Sequence, residues 1–83
     1  MNKTYRYGSG KISESNTPNA GYLMQSALEY KTVKDAIAAA KVEALKIWRD
    51  GQDYEDVPLS DLKIGILSGT DIINEKPLKD WID

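Results

Sequence analysis

The sequence predicts an α+β fold, a two-layer sandwich in which one long helix packs on an antiparallel sheet of about four strands in the order ββαββ. Residues 31–51 carry the strongest helix pattern, and segments with alternating apolar side chains lie on both sides of it. The length of 83 residues fits a single small domain, residues 1–83, with a small core.

The helix prediction rests on its ends and on its periodicity. Thr32 can cap the first turn through its hydroxyl, Asp35 follows three positions later, and Gly51 suits the left-handed residue that ends many helices. A 3.6-residue period places one apolar stripe toward the sheet. Its members are Val33, Ala36, Ile37, Ala40, Ala44, Ile47 and Trp48.

Two strands are predicted before the helix, in residues 3–12 and 21–30. The small, polar segment 13–21 between them is predicted to be a flexible loop. In the second strand the even-numbered residues are the more apolar set, so we expect them to face the helix. They are Tyr22, Met24, Ser26, Leu28 and Tyr30.

Two further strands are predicted after the helix. Leu62, Ile64 and Ile66 alternate in the first, and residues 72–76 form the second, which Pro77 stops or confines to an edge. The C-terminal segment is predicted to close with one helical turn, so that Trp81 covers an end of the core.

Two surfaces are predicted to remain outside the core. One is the sheet face that the helix does not cover, with Leu23, Ala27 and Leu67 among Gln25, Glu29 and Lys63. The other is a second helix patch of Ala38, Val42 and Leu45, which either docks another chain or is partly wrapped by a neighbouring segment.

Composition limits the chemistry. The chain has no cysteine and no histidine, so thiolate and imidazole chemistry are excluded and no cofactor or metal is expected. No apolar run approaches the roughly 20 residues of a membrane span, and we expect a cytoplasmic protein. The glycines and lysine of residues 8–11 do not fit a phosphate-binding loop. Ser68, Thr70 and Asp71 have no histidine to link them, so we do not expect an enzyme.

The charge is unevenly distributed. Residues 1–49 carry eight basic and four acidic side chains (net +4), and residues 50–83 carry three basic and nine acidic ones (net −6). The acidic loop 50–61 holds five acids and no base: Asp50, Asp53, Glu55, Asp56 and Asp61. Their spacing does not fit a calcium loop. The loop is either a solvated turn or a phosphate mimic that occupies a basic groove on another protein.

The N-terminal strand mixes aromatic and basic side chains. Tyr5, Arg6, Tyr7 and Lys11 are candidates for contact with an anion or a small ligand. Direct nucleic-acid binding is not expected, because the chain is acidic with a pI near 5.0.

These observations predict a small non-enzymatic binding protein that docks on a larger protein or protein complex, as a homodimer. By association of size and composition alone, the hypothesis extends to a phage or mobile-element inhibitor of host machinery. The alternative is a small-ligand or nucleotide-binding homo-oligomer with its site between subunits. A third possibility is a structural or assembly protein without a ligand.

Overall fold

The structure is a computed structural model that describes residues 3–51 and 56–82. The described part is an α+β fold, as predicted, with a four-stranded antiparallel sheet, one long helix and a short C-terminal helix. The strands are β1 (Arg6–Lys11), β2 (Tyr22–Gln25), β3 (Leu62–Ser68) and β4 (Asp71–Pro77), and the helices are α1 (Val33–Asp50) and α2 (Leu78–Ile82). The order across the sheet is β2-β1-β3-β4, so β1 and β3 are its inner strands.

The ends of α1 confirm the capping prediction. The Thr32 hydroxyl oxygen accepts a hydrogen bond of 3.1 Å from the backbone N–H of Asp35. Gly51 follows the last turn with φ of 80°, and its N–H donates to the carbonyl of Ile47. Both bonds satisfy backbone groups that a helix end leaves without an internal partner. Among the described residues, no helix is long and apolar enough to cross a membrane.

The core lies between the sheet and the two helices. Three alanines of α1, Ala36, Ala40 and Ala44, are fully buried, which lets the helix approach the sheet closely. The sheet contributes the predicted β3 set: Leu62, Ile64 and Ile66. Trp81 of α2 is buried, as predicted, and its indole N–H donates to the carbonyl of Ile64 at 3.0 Å.

The predicted position of Trp48 is wrong. Its side chain is 48% exposed, whereas Ile47 beside it is buried. Successive helix residues are rotated by about 100°, and the stripe that contacts the sheet is centred on the alanines and Ile47. Trp48 therefore lies on the flank of α1.

The second predicted strand is shorter than expected, and Tyr22 faces the other way. Ser9 is aligned with Met24 but Gly10 with Tyr22, so the register shifts between them and Leu23 is an extra residue. This bulge places Tyr22 on the sheet face away from α1, because one inserted residue reverses the alternation. Residues 26–29 are irregular, and Tyr30 forms an isolated bridge with Tyr5.

The sheet face away from α1 is also less open than predicted. Leu67 and Lys63 lie on it, but only 5% and 2% of their surfaces are exposed. The segment 12–21 lies against Lys63, whose ammonium donates to the carbonyl of Ala20 at 2.6 Å. This segment is closed at its ends by a hydrogen bond from the Lys11 N–H to the Gly21 carbonyl. Its mobility stays a prediction.

Candidate functional site

The acidic loop is only partly within the described residues. Asp50 is exposed at the end of α1, where one of its oxygens is 3.8 Å from Nε of Arg49. Asp56 is exposed and has a left-handed backbone with φ of 56°. Asp53 and Glu55 lie outside the described residues. The phosphate-mimic hypothesis therefore rests on the sequence of this loop.

Asp61 has a local structural role. Its carboxylate accepts a hydrogen bond from the backbone N–H of Ser13 at 2.8 Å and another from the Ser13 hydroxyl at 2.6 Å. These two bonds hold the pKa of Asp61 below its usual value. Asp61 ties the start of the segment 12–21 to the turn before β3, a contact between residues 48 positions apart.

The aromatic side chains of β1 pack on the core. Tyr5, Tyr7 and Tyr30 lie against the buried cluster, and the ring centroids of Tyr7 and Tyr30 are 6.5 Å apart. Burial raises the pKa of Tyr7, and the nearby carboxylate of Glu43 raises it further. The apolar bodies of Tyr5 and Tyr7 thus line the edge of the core beneath α1.

The two basic side chains of β1 lie on opposite faces of the sheet. Arg6 is aligned with Leu67 on the face away from α1, and its guanidinium contacts the Ser26 carbonyl and Glu29. Lys11 is aligned with Leu62 on the other face and forms an ion pair of 3.3 Å with Glu14. The structure does not bring the four predicted ligand contacts, Tyr5, Arg6, Tyr7 and Lys11, together around one point.

A buried polar cluster on the far face was not predicted. Nζ of Lys63 lies 2.8 Å from a carboxylate oxygen of Glu75, and it also donates to Ser15 Oγ at 2.9 Å and to the Ala20 carbonyl. The Tyr22 hydroxyl donates to the same Glu75 oxygen at 2.5 Å. The three donors of the Lys63 ammonium thus each have an acceptor within the chain. This cation therefore stabilises the fold and has no donor left for a ligand.

The ionisation of this cluster follows from its contacts. Burial would raise the pKa of Glu75, but hydrogen bonds from Lys63 and Tyr22 and the charge of Lys63 outweigh burial and hold that pKa below its usual value. Burial and the Glu75 carboxylate both raise the pKa of the Tyr22 hydroxyl. The stable form is therefore an ionised Glu75 between a charged Lys63 and a neutral Tyr22.

A groove of about 510 Å³ lies on the same face, between residues 18–25 and residues 67–72. Tyr22, Leu67 and Ile72 give it apolar walls, and Gln25 and Thr70 are among its polar lining residues. None of the described side chains that line it is charged. A nucleotide phosphate would find no cation there, so the groove gives no support to the nucleotide alternative.

An exposed apolar row lies on α1. The exposed residues of α1 that point away from the sheet form one row, which we call the outer face of α1. They are Asp35, Ala38, Val42, Leu45 and Arg49. Val42 is 69% exposed and Leu45 is 54% exposed. Trp48 flanks the row. The predicted patch of Ala38, Val42 and Leu45 is therefore uncovered.

Among the described residues, no group of acidic side chains is arranged to hold a metal ion. Comparison of the chain with known proteins finds no matching family model, no similar curated protein and no similar solved structure.

Proposed function

We propose that the chain is a non-enzymatic binding protein that acts through protein–protein contacts, and that the outer face of α1 is its binding surface. The observation that carries this proposal is the row formed by Val42 and Leu45, continued on its flank by Trp48. Val42 and Leu45 point away from the core that α1 already covers with its alanines. A helix with apolar side chains on two opposite faces has one face left for a partner.

The energetics favour coverage of this face. Burial of apolar surface contributes about 25 cal/mol per Å². Single exposed apolar residues are common on proteins and need no partner, as with Leu28, which is 68% exposed in an irregular segment. A contiguous row on a rigid helix is different, because a partner can cover it without ordering new backbone.

Contact with a larger protein or protein complex remains part of this proposal. The narrower hypothesis, an inhibitor of host machinery from a phage or mobile element, rests on size and composition alone.

Site-specific photo-crosslinking tests the proposal. A photo-reactive amino acid is placed at position 45 of one chain and at position 28 of a second, inside the cells that produce the protein. The two native leucines are similarly exposed, so position 28 is a matched control. We expect discrete protein adducts from position 45 and only diffuse background from position 28. No adducts from position 45, or the same adducts from both positions, would refute the proposed surface.

A further inference from the structure

We infer that the outer face of α1 binds a second copy of itself, with the two helices antiparallel about a two-fold axis at Val42. This inference rests on the proposed function and names the partner of the same surface. Three features of the row support it: its spacing, the charges at its ends, and the sizes of its middle side chains.

The spacing of the row is almost symmetric about Val42. Relative to Val42, its other members lie at −7, −4, +3 and +7: Asp35, Ala38, Leu45 and Arg49. Alternating steps of three and four residues form the seam by which two helices pack along their length. Reversal of the helix about Val42 nearly superimposes the row on itself, so two copies can meet in an antiparallel pair with the same face.

The charges at the ends favour the antiparallel orientation. In that arrangement Asp35 of each copy meets Arg49 of the other, which gives an opposite-charge pair at both ends. In a parallel pair Asp35 would meet Asp35 and Arg49 would meet Arg49, and both contacts would be repulsive. Charge patterning of this kind selects between orientations more than it adds affinity.

Both end groups are accessible for such a contact. The Asp35 carboxylate takes part in none of the ion pairs within residues 3–51 and 56–82. The Arg49 side chain is 77% exposed, and its contact with Asp50 is long, at 3.8 Å. Each can change partner without the loss of a buried interaction.

The middle of the row pairs a small side chain with a large one. Ala38 of each copy lies opposite Leu45 of the other, and Val42 lies near its own counterpart on the axis. Alternation of small and large residues across a helix pair fills space without overlap. On the flank, the pair brings Trp48 near Lys34 of the second copy, where a cation–π contact is favourable.

Two flanking contacts oppose the pair. The first brings Lys34 near Arg49 of the second copy, since they lie at −8 and +7 from Val42. In the second, Lys41 lies beside Val42 and meets its own counterpart near the axis. Both Lys41 ammonium groups are on long exposed side chains, so they separate in water at small cost. With a helix of 18 residues, about 27 Å long, the interface is small and the dimer is expected to be weak, with a dissociation constant in the micromolar to millimolar range.

Charge-swap variants test the orientation by sedimentation equilibrium. We expect Asp35→Arg alone and Arg49→Asp alone each to weaken the dimer by about tenfold, because each variant turns both end pairs from attractive to repulsive. The double variant should recover most of the lost affinity. Circular dichroism on each variant checks that the helix content is retained. Equal affinities for all four chains, or a double variant as weak as the single ones, would overturn the antiparallel pair.

A cysteine test covers the case in which Asp35→Arg impairs folding, since Asp35 lies in the first turn. The chain has no native cysteine. In the antiparallel pair Val42→Cys places two thiols at the axis, whereas Arg49→Cys places them about 21 Å apart. We expect a disulfide dimer from the first variant only. A disulfide dimer from Arg49→Cys, as in a parallel pair, would contradict the inference.

The two proposals can fail separately. A chain that stays monomeric up to about 1 mM, while position 45 still crosslinks to other proteins, overturns the self-pairing and leaves the proposed function standing. A monomeric chain without adducts at position 45 overturns both.

Discussion

At the scale of single residues, two paired glycines explain how the Tyr22 ring can pack against the sheet face away from α1. Gly8 of β1 is aligned with Gly65 of β3, and the ring of Tyr22 lies over both. A Cβ on Gly65 would overlap the Tyr22 hydroxyl oxygen. Cross-strand glycines therefore leave the space that an aromatic ring fills, which compensates for the weak packing of glycine in a strand.

We predict that Gly65→Ala lowers the free energy of unfolding by roughly 1–3 kcal/mol, because the added methyl group displaces Tyr22 from Glu75. Tyr22→Phe removes the oxygen that the methyl group would meet. The double variant should therefore be less destabilised than the sum of the two single variants. Urea unfolding of the four chains measures this coupling. Additive effects would show that Gly65 is needed for a reason other than the Tyr22 hydroxyl.

The sequence places Lys63 on the correct face but not in its buried environment. The side chain is buried by contacts with Ser15 and Ala20, which are 48 and 43 residues away. No periodicity within β3 contains that information. The alternating glycines Gly8 and Gly10 can be recognised in the sequence. Which residues of β3 lie opposite them depends on the register between the two strands, and the sequence of one strand does not determine that register.

At the scale of elements, local signals decided which predictions succeeded. The helix α1 has a threonine cap, an alanine-rich interior and a terminal glycine, and all of these act within a few residues. The strand β2 depends on a bulge at Leu23 that local alternation does not reveal. The exposed patch on α1 could be predicted because helical periodicity alone separates it from the buried stripe.

The cluster around Glu75 joins β2, β3 and β4, and it makes their association sensitive to pH. The pKa of Glu75 is lower in the folded chain than its ordinary value of 4.5. A lowered pKa means that the ionised group stabilises the fold fully above pH 4.5, and that this contribution is lost as the pH falls through the folded pKa.

We predict that Glu75→Gln lowers the free energy of unfolding at pH 7 by roughly 1–3 kcal/mol, because Lys63 loses its counter-charge. The difference from the native chain should shrink as the pH falls below 4.5. Glu14→Gln is the control, since Glu14 contacts Lys11 at the surface and should have little effect. Denaturant unfolding across this pH range measures both variants. A difference for Glu75→Gln that does not change with pH would refute the role assigned to its charge.

At the scale of the whole molecule, the basic and acidic parts of the chain form opposite halves of one sheet, with β2 and β1 from the basic part and β3 and β4 from the acidic part. The strand β1, from the basic part, lies between β2 and the acidic-part strand β3. The outer face of α1 keeps its own polarity, with Asp35 at its start and Arg49 at its end. An antiparallel pair would place Asp35 of one copy beside Arg49 of the other at both ends of the helix pair.

The mass in solution is the measurement that tests the self-association of α1 most directly. Light scattering at about 0.5 mM compares the native chain with Leu45→Glu and Leu28→Glu, two variants with the same added charge. The account predicts an average mass clearly above 9.3 kDa, rising with concentration toward twice that value, for the native chain and for Leu28→Glu, and a mass near 9.3 kDa for Leu45→Glu. Monomeric mass for all three chains, or dimeric mass for Leu45→Glu, would contradict it.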